Sequence, residues 1–339
     1  MSGAAGGVRA ALWSSREGRL RAPWRLGLGG AAVVALGNVV GAAAVAAGQF
    51  GAWLPPLLRA CWAVVVAALA LAATVGGTCW IVRIVDGRHL ADVGLAWTAT
   101  WRREAAVGAA VGATMAAAVV AVAIGLGLGT VTGALTNRAG TFALTAEHPL
   151  VNASFWLVVF LGVGLVEEVL LRGFVLVNVA EGVRGRTADA TTATLVGALA
   201  SAAVGGLVYV VNPEPTVLGI ANVVALGLLL ALTVAVTGRI ALAVGVHVAW
   251  YATLGVGFGV PVGGLDTGVA VVDVELSGPA VLTGGAVGPS GGLLAATGLV
   301  VGAVSLGWWL LGRTEGFDVD ETIATPDLRA RRPPWRRGR

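Results

Sequence analysis

Long apolar segments separated by short polar connections constrain the fold of this chain more than any other feature. Crossing the hydrocarbon core of a bilayer takes about 20 largely apolar residues, and eight segments reach or approach that length. The chain is 57% hydrophobic and only 12% charged, which no class of soluble globular protein matches. We therefore expect an all-α, polytopic membrane helix bundle of about eight transmembrane helices. The predicted spans are 26–47, 60–84, 105–129, 155–180, 191–211, 217–236, 240–258 and 292–311.

The distribution of arginine predicts how these spans are oriented. All 22 basic residues are arginine, and short cytoplasmic loops carry an excess of basic residues. With the N-terminus in the cytoplasm and eight spans, 19 arginines lie on the cytoplasmic side, and only Arg59 and Arg138 lie outside. An odd number of spans would place the seven arginines after residue 312 outside and weaken this bias. We expect a multi-pass protein of the cell membrane with both termini cytoplasmic.

The same distribution argues against a nucleic-acid-binding protein. The net charge of +4 could suggest such a partner, but the positive charge follows one membrane face and is not interleaved with aromatic residues on a soluble module. We expect membrane lipid as a partner and no nucleic acid. The arginine-rich tail suits either contact with anionic headgroups or a disordered segment that only sets topology.

Three charged residues lie inside the fourth predicted span, in "GLVEEVLLRGF" at residues 164–174. Glu167 is close to the middle of the span, where a carboxylate costs a few kcal/mol and therefore faces the bundle interior or a water-filled cavity. Glu168 and Arg172 have the i, i+4 spacing of an ion pair on one helix face, and Glu167 is left for another partner. The set is either a structural ion pair with a protonated Glu167 or a buried carboxylate that serves as a general base or metal ligand.

His247 is the one histidine within a predicted span, since His89 and His148 fall in loops. Such a histidine can be structural, with a hydrogen bond to a nearby carbonyl, or it can act together with the mid-membrane glutamate. One histidine and two glutamates make a small ligand set for a tightly held divalent metal. Glu167 and His247 are its weak candidates, so a metal is not favoured and no other cofactor is expected.

The segment "EEVLLRG" resembles the EExxxR motif of the CPBP family of intramembrane proteases. This family includes type II CAAX prenyl endopeptidases and Abi-like bacteriocin-processing or immunity proteins. The segments "WRLGLGG", "DGRHLADVGL", "TGRIALAVGVHVAW" and "SGPAVLTGGAVGPSGGLLA" also resemble family sequence and follow the family order. The resemblance covers most of residues 20–311. It implies a basic N-terminal segment at 1–25, a membrane domain at 26–311 with a CPBP-like core at about 150–311, and a basic tail at 312–339.

The resemblance also implies a catalytic site made of three motifs, EExxxR, FxxxH and HxxxN. In the family, the first glutamate and first histidine activate water, and the second histidine and the asparagine stabilise the oxyanion. This chain departs at two positions: Tyr209 aligns with the first histidine, with Gly205 in place of the phenylalanine, and Tyr251 aligns with the asparagine. A tyrosine hydroxyl can donate to an oxyanion, but with an ordinary pKa near 10 it does not exchange protons near pH 7 as imidazole does. The implied site residues are Glu167, Glu168, Arg172, Tyr209, His247 and Tyr251.

Three functions remain open on these observations. The first is an intramembrane endopeptidase in which Glu167 activates water and the substrate is a membrane-embedded or lipidated peptide. The second is a catalytically impaired family member that binds membrane peptides or acts as an immunity protein. The third is a proton-coupled transporter that uses the buried charges as a relay, although the sequence shows no internal repeat of the transporter type.

Overall fold

The computed structural model describes residues 11–14, 17–142, 148–184, 188–211, 214–312 and 318–325. Within these ranges the chain is mostly helical, and six helices are long and apolar enough to cross a membrane. Two further apolar helices, Ala241–Gly257 and Ala295–Leu311, are shorter than these six. The predicted polytopic helix bundle is therefore confirmed. Most of the basic tail predicted at 312–339, and residues 1–10 of the N-terminal segment, lie outside the described residues.

The elements follow one another along the chain as hairpins of antiparallel helices. The eight helices are α1 (Ala22–Phe50), α2 (Pro56–Asp86), α3 (Ala99–Gly125), α4 (Pro149–Val183), α5 (Ala190–Tyr209), α6 (Val217–Thr237), α7 (Ala241–Gly257) and α8 (Ala295–Leu311). The strands are β1 (Trp13–Ser14), β2 (Arg19–Leu20), β3 (Gly129–Asn137) and β4 (Val269–Leu276). Strands β1 and β2 pair as a small hairpin, and β3 pairs with β4.

Short polar residues and glycines set the helix ends. The side chains of Thr98, Asp189 and Thr216 accept hydrogen bonds from backbone N–H groups in the first turns of α3, α5 and α6, which satisfies donors that a helix start leaves free. Gly87 and Gly238 adopt left-handed conformations that end α2 and α6, as glycine does at helix C-termini.

The two ends of the bundle differ in chemistry. One end carries Arg19, Arg25, Arg88 and Arg239, and we call it the arginine-rich face. The other end carries β3, β4 and the glycine-rich segment 284–292, and we call it the loop face. Long-range hydrogen bonds hold segments together at each face. At the arginine-rich face the Asp320 N–H donates to the Ala235 carbonyl, and at the loop face the Asn152 side chain donates to the Thr267 carbonyl.

Strands β3 and β4 form an antiparallel ribbon between segments more than 130 residues apart in sequence, with Gly129 opposite Leu276 and Asn137 opposite Val269. The alternating "VAVVDVEL" stretch forms β4, and its pairing with β3 is long-range rather than a local hairpin. The third span, predicted to continue to 129, ends at Gly125. Gly127, two residues past the end of the helix, has a φ of +72°. This left-handed conformation turns the chain toward β3, which begins at Gly129.

Helix α7 is the centre of the bundle, and it packs closely against α3. Residues 241–247 of α7 are all buried. A Cβ atom added at Gly108 would lie 2.2 Å from the Leu242 carbonyl oxygen, and one at Gly245 would lie 2.1 Å from the Ala105 carbonyl oxygen. The small-xxx-small pattern at Gly108 and Gly112 therefore marks a helix interface, as the sequence indicates.

A cluster of buried charges joins the N-terminal segment to the end of α4. Glu181 accepts hydrogen bonds from Arg19 at 2.9 Å and from Arg25 at 2.8 Å and also contacts Arg88. All three arginines are almost fully buried. Burial lowers the pKa of Arg88 to about 10, because the cation has been taken out of water.

An uncharged residue ties the same cluster to the end of α2. Asn178 donates to Asp86 at 2.8 Å and accepts from Arg25 at 2.7 Å. Glu17 lies at the rim of the cluster. Burial raises its pKa, but Arg19 and Arg25 outweigh that effect, and the pKa of Glu17 is lowered overall. Arg19, Arg25 and Arg88, which the sequence analysis counts on the cytoplasmic side, are therefore paired with carboxylates inside the protein.

Candidate active site

Helix α4 carries the charged motif and changes its helical type next to it. The helix is α-helical over Pro149–Glu168, π-helical over Val169–Leu176 and α-helical again over Val177–Val183. Such π-helical segments occur frequently at functional sites. Ser201 of α5 donates to the Leu171 carbonyl at 2.7 Å, so the neighbouring helix provides a hydrogen bond to the irregular segment.

Glu168 is fully buried and holds two partners through one carboxylate oxygen. Its Oε1 accepts from Arg172 Nη1 at 3.0 Å and lies 2.8 Å from His247 Nδ1. Arg172 donates its other terminal nitrogen to the Gly227 carbonyl at 3.1 Å. The contact expected from the i, i+4 spacing is present, and α4, α6 and α7 meet at this group of three charged or ionisable side chains.

Glu167 lies on another side of α4 and has a different environment. Its side chain is 36% exposed, and its Oε2 lies 3.6 Å from His247 Nε2. That separation is longer than a hydrogen bond, and polar groups at such a distance are often bridged by a water molecule. Because Glu168 occupies Nδ1, the imidazole presents Nε2 to Glu167.

Glu167 reaches an apolar cavity of about 680 Å³ between α1, α2 and α4. The cavity extends from Glu167 toward the loop face, where Gln49 and Phe142 line it. Small residues such as Gly41 and Ala67 form its walls on α1 and α2. Glu167 is the one charged residue among the lining residues, so a carboxylate stands at the deep end of a hydrocarbon-like space.

Tyr251 lies one helical turn beyond His247 on α7, and the two rings make an edge-to-face contact at 4.7 Å between centroids. Phe160 of α4 contacts the other side of Tyr251 at 5.7 Å. Tyr251 therefore fixes the imidazole from the loop-face side.

Tyr209 is placed apart from the charged group. It is the last residue of α5 and lies against Gly219. Among the described residues, no hydrogen bond connects Tyr209 to either glutamate or to His247. The resemblance implies a position beside Glu167, and for Tyr209 that role stays a prediction. Tyr209 and Tyr251 share the lining of a second, smaller pocket.

The structure also reveals site neighbours that the sequence did not suggest. The Gly227 carbonyl holds Arg172, and Ser201 supports the π-helical segment. Asn222 and Ser290 line the smaller pocket together with the two tyrosines. No sequence signal could have identified them, because each acts through a contact between segments far apart in the chain.

Within the described ranges, no group of three or more histidine, cysteine, aspartate or glutamate side chains is arranged to hold a metal ion. The weak candidates Glu167 and His247 lie close enough to bind the same metal ion. Glu168 already contacts Arg172 and His247.

Comparison with known proteins supports the family resemblance. Residues 148–253 match the family model described as type II CAAX prenyl endopeptidase Rce1-like. The matched region begins at the start of α4 and ends within α7, so it contains every residue of the candidate site. Neither the curated proteins nor the solved structures compared with the chain gave a match. The CPBP resemblance is thereby confirmed for this region, and it supports an intramembrane endopeptidase at the level of the family.

Proposed function

We propose that this protein is an intramembrane endopeptidase in which Glu167 acts as the general base, and that its arginine-rich face lies in the cytoplasm at the cell membrane. The observation that carries the proposal is the position of Glu167, at the deep end of the apolar cavity and 3.6 Å from His247 Nε2. From Glu167 to either end of α4 is about 25 Å at 1.5 Å per residue. The site therefore lies near the middle of the membrane.

The two adjacent glutamates have separate roles in this mechanism. Glu168 holds the imidazole of His247 and is itself held by Arg172, the arrangement of a base or donor oriented by a third group. Glu167 removes a proton from a water molecule, and the resulting hydroxide attacks the carbonyl carbon of the peptide bond. His247 stabilises the oxyanion, and Glu167 then returns the proton to the leaving amine.

The shape of the cavity limits what can bind. The wall from Phe155 to Glu167 is about 18 Å long at 1.5 Å per residue. A volume of about 680 Å³ over that length describes an elongated, mostly apolar space. An extended peptide or a hydrocarbon chain fits this space. A lipidated peptide, with its chain toward the loop face, is the proposed substrate.

A second candidate is a family member that binds such peptides without cleaving them. The placement of Tyr209 favours it, because no imidazole stands where the family has its first histidine. Glu167 and His247 would then form a polar end to a binding cavity.

A cleavage assay in proteoliposomes tests the proposal. We expect a fluorogenic peptide carrying an isoprenoid chain to be cut by the wild type and not by Glu167→Gln. Glu275→Gln makes the same change on the exposed ribbon and should retain activity. Equal turnover by Glu167→Gln and wild type would reject the mechanism. If the wild type binds the peptide without cutting it and Tyr209→His gains activity, the binding function is correct.

A further inference from the structure

A second, smaller pocket, mostly apolar but with a few polar groups, lies on the loop-face side of His247. It has a volume of about 50 Å³ and is lined by Tyr209, Tyr251, Asn222 and Ser290, with an apolar remainder that includes Met115. On this measure a cavity needs about 10–15 Å³ to hold one water molecule, so the pocket has room for a few. The pocket is too small for a peptide or an organic cofactor.

The Tyr209 hydroxyl lies next to the Ser290 side chain at this pocket. Tyr209 is 5% exposed, and the geometry between its hydroxyl and the described polar groups falls short of a full hydrogen bond. A buried hydroxyl without a partner costs about 1–3 kcal/mol, and buried polar groups in that position are commonly satisfied by ordered water. The pocket offers further polar groups, from Asn222 and Ser290.

A glycine-rich segment closes the pocket toward the loop face. Asn222 donates to the carbonyl oxygens of Ser290 at 3.0 Å and Gly292 at 2.9 Å, which anchors the segment to α6. Gly288 has a φ of +85°, and a Cβ atom there would lie 1.9 Å from the Pro261 carbonyl oxygen. A residue with a side chain would not fit this position, so the tight cap over the pocket requires glycine.

Tyr251 lines the pocket, and its ring contacts the imidazole of His247 at 4.7 Å between centroids. Peptide hydrolysis consumes one water molecule for each bond cleaved. The larger cavity is apolar and is blocked by a bound hydrocarbon chain, so it cannot supply that water during the reaction. We propose that the small pocket is a water-binding site that supplies water to Glu167 and His247 past Tyr251. The supply role rests on the proposed function, and the occupancy of the pocket does not.

Hydroxyl-radical footprinting by X-ray pulses, on the full chain in lipid nanodiscs, tests the occupancy directly, since radicals formed from bound water oxidise adjacent side chains. We expect Tyr209 and Met115, which are 5% and 1% exposed, to be oxidised several-fold faster than Phe174, which is 1% exposed and does not line the pocket. Val223→Phe, which fills the pocket, should suppress this labelling. A protected Tyr209, or labelling unchanged by Val223→Phe, would overturn the proposal.

A second variant keeps the test decisive if Val223→Phe does not fold. Tyr209→Phe removes a hydrogen bond to water if the pocket is hydrated, so the Tm in nanodiscs should fall. An unchanged or higher Tm would show that the hydroxyl had no partner and that the pocket is dry.

The supply role is tested on the isoprenoid peptide. Val223→Phe should lower kcat several-fold with little change in KM, since the larger cavity is untouched. An unchanged kcat would reject the supply role. If the wild type cleaves nothing, the proposed function fails, and the footprinting still decides whether water occupies the pocket.

Discussion

Replacing Glu168 by alanine should destabilise the protein far more than the same change at Glu167. Glu168 is fully buried and holds both Arg172 and His247 through its Oε1. Its loss removes two hydrogen bonds to a charged group, at about 1.5–3 kcal/mol each, and leaves Arg172 with only the Gly227 carbonyl. Removing one partner of a buried ion pair costs about 3–5 kcal/mol. This agrees with the total of about 3–6 kcal/mol for the two lost hydrogen bonds.

The expected cost for Glu167→Ala is below about 1 kcal/mol, because this carboxylate faces a cavity and makes no direct hydrogen bond to His247. The free energy of unfolding can be measured for both variants by equilibrium denaturation in mixed micelles. A difference of about 3 kcal/mol corresponds to a change of about 100-fold in the unfolding equilibrium constant, well within the resolution of such a titration.

The double variant Glu168→Ala with Arg172→Ala supplies the internal check. Removing both members leaves no uncompensated cation, so the double variant should be more stable than the sum of the two single changes predicts, by about 1–3 kcal/mol. Additive effects, or equal losses from Glu167→Ala and Glu168→Ala, would refute the division of roles between the adjacent glutamates.

Three further changes test the packing and the charges away from the site. Gly108→Ala should cost about 1–3 kcal/mol of unfolding free energy, because its Cβ would meet the backbone of α7, whereas Gly30→Ala, with nothing within 4 Å, should be nearly neutral. Arg239→Ala should lower the Tm, since it leaves the buried Glu104 without the cation that now contacts it, and an unchanged Tm would contradict this. The lowered pKa of Glu17 adds stability above its unfolded-state pKa that is lost as the pH falls through its folded-state pKa. Proteolysis of the N-terminal hairpin should therefore increase on acidification, and Glu17→Gln should be cleaved readily at neutral pH already.

The composition and the spacing of apolar runs were sufficient to predict the fold class. A chain this apolar can satisfy its backbone hydrogen bonds in a bilayer only as helices or a closed barrel, and the lengths of the runs predict eight helices. Helix limits were less accurate, as at Gly125, because they depend on local backbone conformation. The β3–β4 ribbon escaped prediction because it joins segments far apart in sequence.

Part of the candidate site was also readable, because its first charges lie on one helix. The i, i+4 spacing predicts the contact between Glu168 and Arg172, and the only histidine within a span is the one that meets them. Sequence could not assign Glu167 and Glu168 their different surroundings. Residues adjacent on a helix point about 100° apart, and only the packing of α1, α2 and α7 decides which one faces the cavity.

The sequence by itself determined that this protein is a membrane helix bundle with a charged motif near the middle of one helix. Both properties follow from short-range patterns, hydrophobic length and helical spacing. The tertiary structure decided which glutamate is sequestered, and that Tyr209 and Tyr251 share a small pocket beneath the glycine-rich cap. These features depend on where separate helices come into contact, and that is set by the packing of many weak contacts across the whole bundle.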